Sequence, residues 1–214
     1  QTRLDMLGRS VEMLKELLEQ LKPYKIPGIV VTITNPADIV ADYVRKGLGL
    51  ERNRVFGTGT LLDTARLIRT LSEESGVGRR SIQAYSLGEH GDSSMIPFSS
   101  VTIGGLPFDA YDISKEKVLE ATRQIGMTII EGKKSTEFGI GRALTEMAAC
   151  ILRDEKKIMP ASVLLQGEYG QHDVHCGVPC LIGKNGIEKI IELPLTEEEQ
   201  EMLNQSCEVI KKHI

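Results

Sequence analysis

His90 stands in the run Gly88-Glu89-His90-Gly91-Asp92-Ser93, and upstream of it lies Leu62-Asp63-Thr64-Ala65-Arg66, so one stretch of chain offers an imidazole, a carboxylate and a guanidinium. An imidazole exchanges protons near neutral pH, a carboxylate holds its tautomer and orientation, and a guanidinium grips a substrate carboxylate through two parallel hydrogen bonds. These are the groups called for when a proton leaves a hydroxyl while hydride leaves the same carbon of a 2-hydroxy acid. Asp63 and Arg66 are spaced so that they share one face of a helix. Alone, such a pair is a surface ion pair; His90 beside it makes an acid/base site with an anion clamp. A G-x-G-x-x-G dinucleotide fingerprint, which would complete the picture, occurs nowhere in the chain.

A second cluster, His172, His175, Cys176 and Cys180, has the residue types of a zinc site. A strand over 173–178 sends the adjacent His175 and Cys176 to opposite faces, and the spacings are not those of a structural zinc pair. No metal is expected there.

The elements that must position these groups follow from periodicity. Apolar residues at Leu4, Leu7, Val11, Leu14, Leu18 and Leu21 have the spacing of an amphipathic helix, which Pro23 and Pro27 close. Residues 28–34 are a β-branched run without polar alternation, the pattern of a strand covered on both faces in a parallel sheet. The run ends at Asn35-Pro36, at the carboxyl end of the strand, where open α/β sheets place ligands. Helices are expected over 38–46 and 62–74 with a short strand at Val55-Phe56 between them. Beyond Gly76 the pattern changes to antiparallel strands (82–87, 99–103), helices over 115–133 and 136–154, and strands over 161–166, 173–178, 180–182 and 187–193, the last turning at Lys184-Asn185-Gly186. Thr196 with Glu199 forms a capping box for a final helix.

The chain has 214 residues, 41% of them hydrophobic, enough for a substantial core in one large domain or one domain plus part of another. Its 26 basic and 30 acidic residues give a net charge of -4 without long runs of one sign, which leaves no electrostatic footprint for nucleic acid. No apolar stretch approaches the ~20 residues of a membrane span, and the first residues lack a signal-peptide pattern. Four scattered cysteines do not form a disulfide scaffold, which reads as a cytoplasmic chain with reduced thiols.

Taken in order, Thr2-Arg3-Leu4-Asp5, Thr34-Asn35-Pro36-Ala37-Asp38, Leu62-Asp63-Thr64-Ala65-Arg66, Gly88-Glu89-His90-Gly91-Asp92-Ser93 and Ser135-Thr136 resemble the L-lactate/malate dehydrogenase family, and the likeness continues through Glu168-Tyr169-Gly170 and Val178-Pro179-Cys180. The resemblance implies an α/β then α+β fold: residues 1–56 as the C-terminal remnant of a doubly wound Rossmann sheet, and residues 57–214 as a substrate domain of antiparallel strands and long helices. It implies NAD as cofactor, a small 2-keto or 2-hydroxy acid as substrate, and a homodimer or homotetramer. His90 is implied as the acid/base and Asp63 as its orienting carboxylate. Arg66 is implied as the substrate clamp, and Arg3 as the arginine of a closing loop that polarises the carbonyl and touches substrate. Asn35 and Thr136 are implied as substrate-pocket residues, with Asn35-Pro36 a candidate cis peptide. Ile33, Thr34, Asn35, Thr58 and Ile140 are implied to line the nicotinamide half of the cofactor site. Glu89 and Thr136 follow the lactate branch; malate or another 2-hydroxy acid is the alternative, and a non-catalytic assembly module is a further one.

The family's glycine-rich Rossmann start would precede Gln1, so residues 1–214 by themselves are expected not to turn over. Relatives activated by fructose 1,6-bisphosphate use an arginine and a histidine where this chain has Ile68 and Gln83.

Overall fold

The computed structural model describes residues 3–133 and 137–214, without the side chains of residues 3–11, 127, 129–131 and 133. Thr136 and the side chain of Arg3 thus lie outside the described residues.

The chain opens with helix α1 (Arg3–Leu21), strand β1 (Val30–Thr32), helix α2 (Ala37–Leu48), strand β2 (Val55–Gly57) and helix α3 (Leu61–Ser75). Strands β3 (Ile82–Gln83), β4 (Thr102–Ile103) and β5 (Leu106–Pro107) form a small antiparallel sheet. Helices α4 (Lys115–Lys133) and α5 (Glu137–Leu152) lead to strands β6 (Lys157–Gln166), β7 (His172–Gly183) and β8 (Gly186–Ile190), and helix α6 (Glu197–Lys211) ends the fold.

β1 and β2 are parallel, with Thr32 opposite Gly57. β2 in turn meets β6 in antiparallel register at Gly57 and Ser162, so the five strands β1-β2-β6-β7-β8 make one sheet across the expected boundary near residue 57. Gly59, just past that junction, has a φ of +49°, and a Cβ there would stand 2.6 Å from the Ser162 amide nitrogen. Only glycine fits both the conformation and the close approach.

Two cores flank α3. One gathers Phe56, Leu87, Met95 and Met147 with the buried faces of β6, β7 and α6. The other packs Leu67 and Leu71 of α3 against Ile82, Phe98, Ile103 and Val118. Helix α3 therefore carries Asp63 and Arg66 on a rigid support rather than a free surface.

The strand expectations are corrected at three places. The chain leaves the small sheet after Gln83 because side chains at the start of α3 and at its N-cap capture its backbone: the Ser86 N–H donates to Thr64 Oγ1 at 2.9 Å and the hydroxyl of Thr60, the N-cap, donates to the Ser86 carbonyl at 2.5 Å. Likewise, Phe98–Ser100 is a 3₁₀ turn in which the Ser99 N–H donates to the Glu199 carboxylate at 3.0 Å, leaving Thr102–Ile103 as the strand. Conversely, the separate strands expected over 173–178 and 180–182 are one strand, β7. Pro179 lies opposite Pro160, a pairing that asks for no hydrogen bond from either nitrogen.

The capping box forms as expected: Thr196 Oγ1 accepts from the Glu199 N–H at 3.2 Å and the Glu199 carboxylate accepts from the Thr196 N–H at 3.0 Å. Replacing Thr196 with alanine is expected to lower stability by about 1 kcal/mol, read as a lower urea midpoint at unchanged slope. An unchanged midpoint would show that α6 is held by its packing alone.

Candidate active site

Asp63 lies in the first turn of α3 and faces the loop that carries His90. Its Oδ2 is 2.6 Å from His90 Nδ1, and its Oδ1 accepts from Arg66 Nη1 at 3.1 Å, so one carboxylate orients both the imidazole and the guanidinium. With Nδ1–H donated to Asp63, Nε2 is the nitrogen left to face a substrate oxygen. The three side chains are partly exposed in a single recess, at 22% for His90, 17% for Asp63 and 14% for Arg66. Leu119, Thr122 and Gly126 of α4 line the same recess. Gly126 lets the helix backbone lie over the clamp, since a Cβ there would stand 3.1 Å from Arg66 Nη1. Arg66 Nε is buried and has no hydrogen-bond partner among the described residues, an orphaned cationic donor of the kind an anionic ligand would satisfy.

The electrostatics favour a charged pair. Burial pushes the Asp63 carboxyl up, but the hydrogen bond and charge of His90 and the charge of Arg66 outweigh it and hold the group below its ordinary range. Burial pulls the His90 imidazole down, while the hydrogen bond and charge of Asp63 and the charge of Asp38 raise it above the usual value despite the opposing Arg66.

The loop bearing His90 is fixed on both sides. Gly88 exchanges both backbone hydrogen bonds with Gly177 of β7, at 2.9 and 3.0 Å. The Glu89 N–H donates to Ser206 Oγ of α6 at 2.8 Å, and the Ser93 hydroxyl donates to the Glu89 carboxylate at 2.6 Å. The His90 N–H donates to Asp38 Oδ2 at 2.9 Å. Residue type and spacing do not mark the roles of Asp38, Ser206 and Gly126, even though Asp38 stands in the motif Thr34-Asn35-Pro36-Ala37-Asp38. A first-turn Asp reads as a helix-terminus charge, and a serine or a glycine in a helix carries no mark of what will lie against it.

Ile33, Thr34 and Asn35 lie exposed at the carboxyl end of β1, and the Asn35-Pro36 bond is cis. Thr58 continues the neighbouring parallel strand, buried, its N–H donating to the Thr32 carbonyl at 3.0 Å. Ile140, half-buried, lies on α5 next to Gly139, where a Cβ would stand 3.2 Å from the Leu62 side chain at the start of α3. These residues therefore surround the strand ends and the first turn of α3. Arg3 is placed by its backbone alone, at the start of α1.

His175 and Cys176 do point to opposite faces of β7. His175 Nδ1 is 3.2 Å from Asp42 of α2, and Cys176 Sγ is 3.6 Å from Cys207 Sγ of α6. No helix among the described residues is long and apolar enough to cross a membrane.

Two family models match the chain: "lactate/malate dehydrogenase, NAD binding domain" over residues 1–57 and "lactate/malate dehydrogenase, alpha/beta C-terminal domain" over residues 60–214. A protein of Fusobacterium nucleatum named L-lactate dehydrogenase is 43% identical, the alignment covering 99% of this chain and 70% of that protein. Among solved structures, the minor L-lactate dehydrogenase of Enterococcus mundtii matches at a TM-score of 0.95 and 34% identity, over 100% of this chain and 70% of that one. The malate dehydrogenase of Aeropyrum pernix matches at 0.93 and 37% identity, with the same coverage.

Proposed function

The chain belongs to the lactate/malate dehydrogenase family, and from that membership we propose that it is an NAD-dependent L-lactate dehydrogenase interconverting pyruvate and L-lactate. The single observation that carries the mechanism is the Asp63 carboxylate shared between His90 and Arg66, with a buried guanidinium nitrogen that has no partner among the described residues.

The nicotinamide, when bound, gives or takes the hydride at the substrate's carbonyl carbon. The residues at the strand ends fit that half of the cofactor: Ile33, an apolar residue, is 41% exposed directly after Thr32, the last paired residue of β1, at the ligand-bearing end of the parallel pair. Ile33, Thr34, Asn35, Thr58 and Ile140 would hold it. Arg66 binds the substrate carboxylate and so fixes which oxygen faces His90. His90, as imidazolium, gives its proton to the keto oxygen during reduction and takes it back from the hydroxyl during oxidation, while Asp63 stabilises the cation. Arg3 closes over the substrate and polarises its carbonyl, and Asn35 and Thr136 complete the pocket. We place the division between cofactor and substrate domains at residues 56 and 57, and the protein in the cytoplasm as a homodimer or homotetramer acting on a small 2-keto acid.

The test is NADH oxidation by the protein as the cell makes it, with pyruvate and oxaloacetate compared. A kcat/KM favouring pyruvate is expected; a preference for oxaloacetate would move the assignment to the malate branch that the Aeropyrum pernix likeness represents. Sugar bisphosphate activation is not expected. Ile68 is packed into the second core and Gln83 is exposed and uncharged, so neither supplies a cation for a phosphate. A large drop in the pyruvate KM on adding fructose 1,6-bisphosphate would refute this.

A further inference from the structure

We propose that Asp38 is a positioning residue for His90, so that two carboxylates set the acid/base group: Asp63 at its ring and Asp38 at its backbone. This rests on the reading of His90 as the acid/base.

The placement of Asp38 is unusual for a first-turn helix residue. It is 3% exposed, and its two oxygens reach different parts of the fold. Oδ2 accepts from the His90 N–H at 2.9 Å and Oδ1 accepts from the Ser162 hydroxyl at 2.5 Å. Ser162 is the residue of β6 that pairs with Gly57 of β2, and Asp38 itself follows the cis Asn35-Pro36 bond at the end of β1. One carboxylate thus joins the strand ends that would hold the nicotinamide, the seam between the parallel and antiparallel parts of the sheet, and the loop bearing His90. A carboxylate that served only the helix dipole would not need to be buried. Burial carries a desolvation cost that specific partners must offset.

The charged and titratable groups facing Asp38 are His90 and Glu89 of the loop and Cys176 of β7, with Asp63 and Arg66 of α3 beyond His90. Burial raises the Asp38 carboxyl to about 6 against the hydrogen bonds from Ser162 and His90, so it is ionised at neutral pH and adds to the field that keeps His90 protonated. Asp38 does not touch the His90 ring through any hydrogen bond, so it acts on the proton transfer through position and field.

The experiment follows the His90 ring by NMR titration, which needs no turnover and is tractable because the chain has 4 histidines. In Asp38→Asn, the amide can still accept from the His90 N–H and donate to Ser162, so folding is preserved while the charge is removed. The His90 midpoint is expected to fall by about half a pH unit or more. Ser162→Ala, which removes a donor that favours ionised Asp38, should move it in the same direction by less. In pyruvate reduction, the high-pH limb of Asp38→Asn should shift down by the same amount, with kcat falling about 3- to 30-fold and the pyruvate KM within about twofold. A His90 midpoint unmoved in both variants overturns the proposal. Failure of the wild-type protein to reduce any 2-keto acid would instead overturn the enzymatic reading, and the titration would still decide the role of Asp38.

Discussion

Replacing His90 with glutamine in the protein as the cell makes it is expected to leave it folded and able to take up NADH while cutting the rate of pyruvate reduction by about 10²–10⁴-fold. Glutamine keeps a hydrogen-bond donor near the substrate oxygen but has no proton to release, so the loss isolates proton transfer from polarisation. The geometry makes the variant interpretable. The loop is held by its own backbone through Gly177, Ser206 and Asp38, none of which depends on the His90 ring. The sign of the pH dependence follows from the raised His90 pKa. Below it the imidazolium is present and reduction proceeds; as pH rises through it the donor is lost and reduction declines, while lactate oxidation, which needs the neutral ring, gains. Removing the Asp63 charge by Asp63→Asn lowers that pKa, so the reduction limb moves to lower pH. Stopped-flow NADH absorbance across pH reads both effects. Retention of wild-type kcat by His90→Gln would end the assignment.

Replacing Arg66 with lysine is expected to lower kcat/KM for pyruvate by about 2–4 kcal/mol, roughly 30- to 1000-fold, mostly through KM. Lysine retains the charge but not the planar fork, and it cannot at once donate to Asp63 and present two parallel hydrogen bonds to a carboxylate. In this chain the fork is held by Asp63 on one side, and α4 lies close against it at Gly126 on the other. A shorter list of donors on a flexible stem loses that support. Steady-state kinetics with pyruvate decides the matter. A lysine variant within threefold of wild type would mean that Arg66 braces Asp63 rather than grips substrate.

The two variants draw on different layers of the sequence. Asp63, Arg66 and His90 were legible because their chemistry is tied to residue type, and the i, i+3 spacing of the first two is enough to put them on one helical face. The structure adds that all three meet through one carboxylate, and the helical spacing alone could not show how the loop of His90 reaches it. The helices were legible for a related reason: their apolar stripes are local and regular. The short strands were not. Residues 84–87 have strand composition, yet Thr64 of α3 and its N-cap Thr60 satisfy the Ser86 backbone, and a side chain 22 or 26 positions away leaves no local trace of that competition.

By itself, then, the sequence determined the chemical repertoire, the family and the helical scaffold, because each is carried by residue type or by short-range periodicity. The tertiary structure alone decided that the expected boundary near residue 57 is bridged by one continuous sheet and that Arg66 Nε finds no partner among the described residues. It also decided that Asp38, an ordinary first-turn acid by its position, is buried beneath the histidine. Those facts depend on contacts between residues far apart in the chain. Ser162 and Asp38 stand 124 positions from each other, and only folding brings the hydroxyl of one within 2.5 Å of the carboxylate of the other.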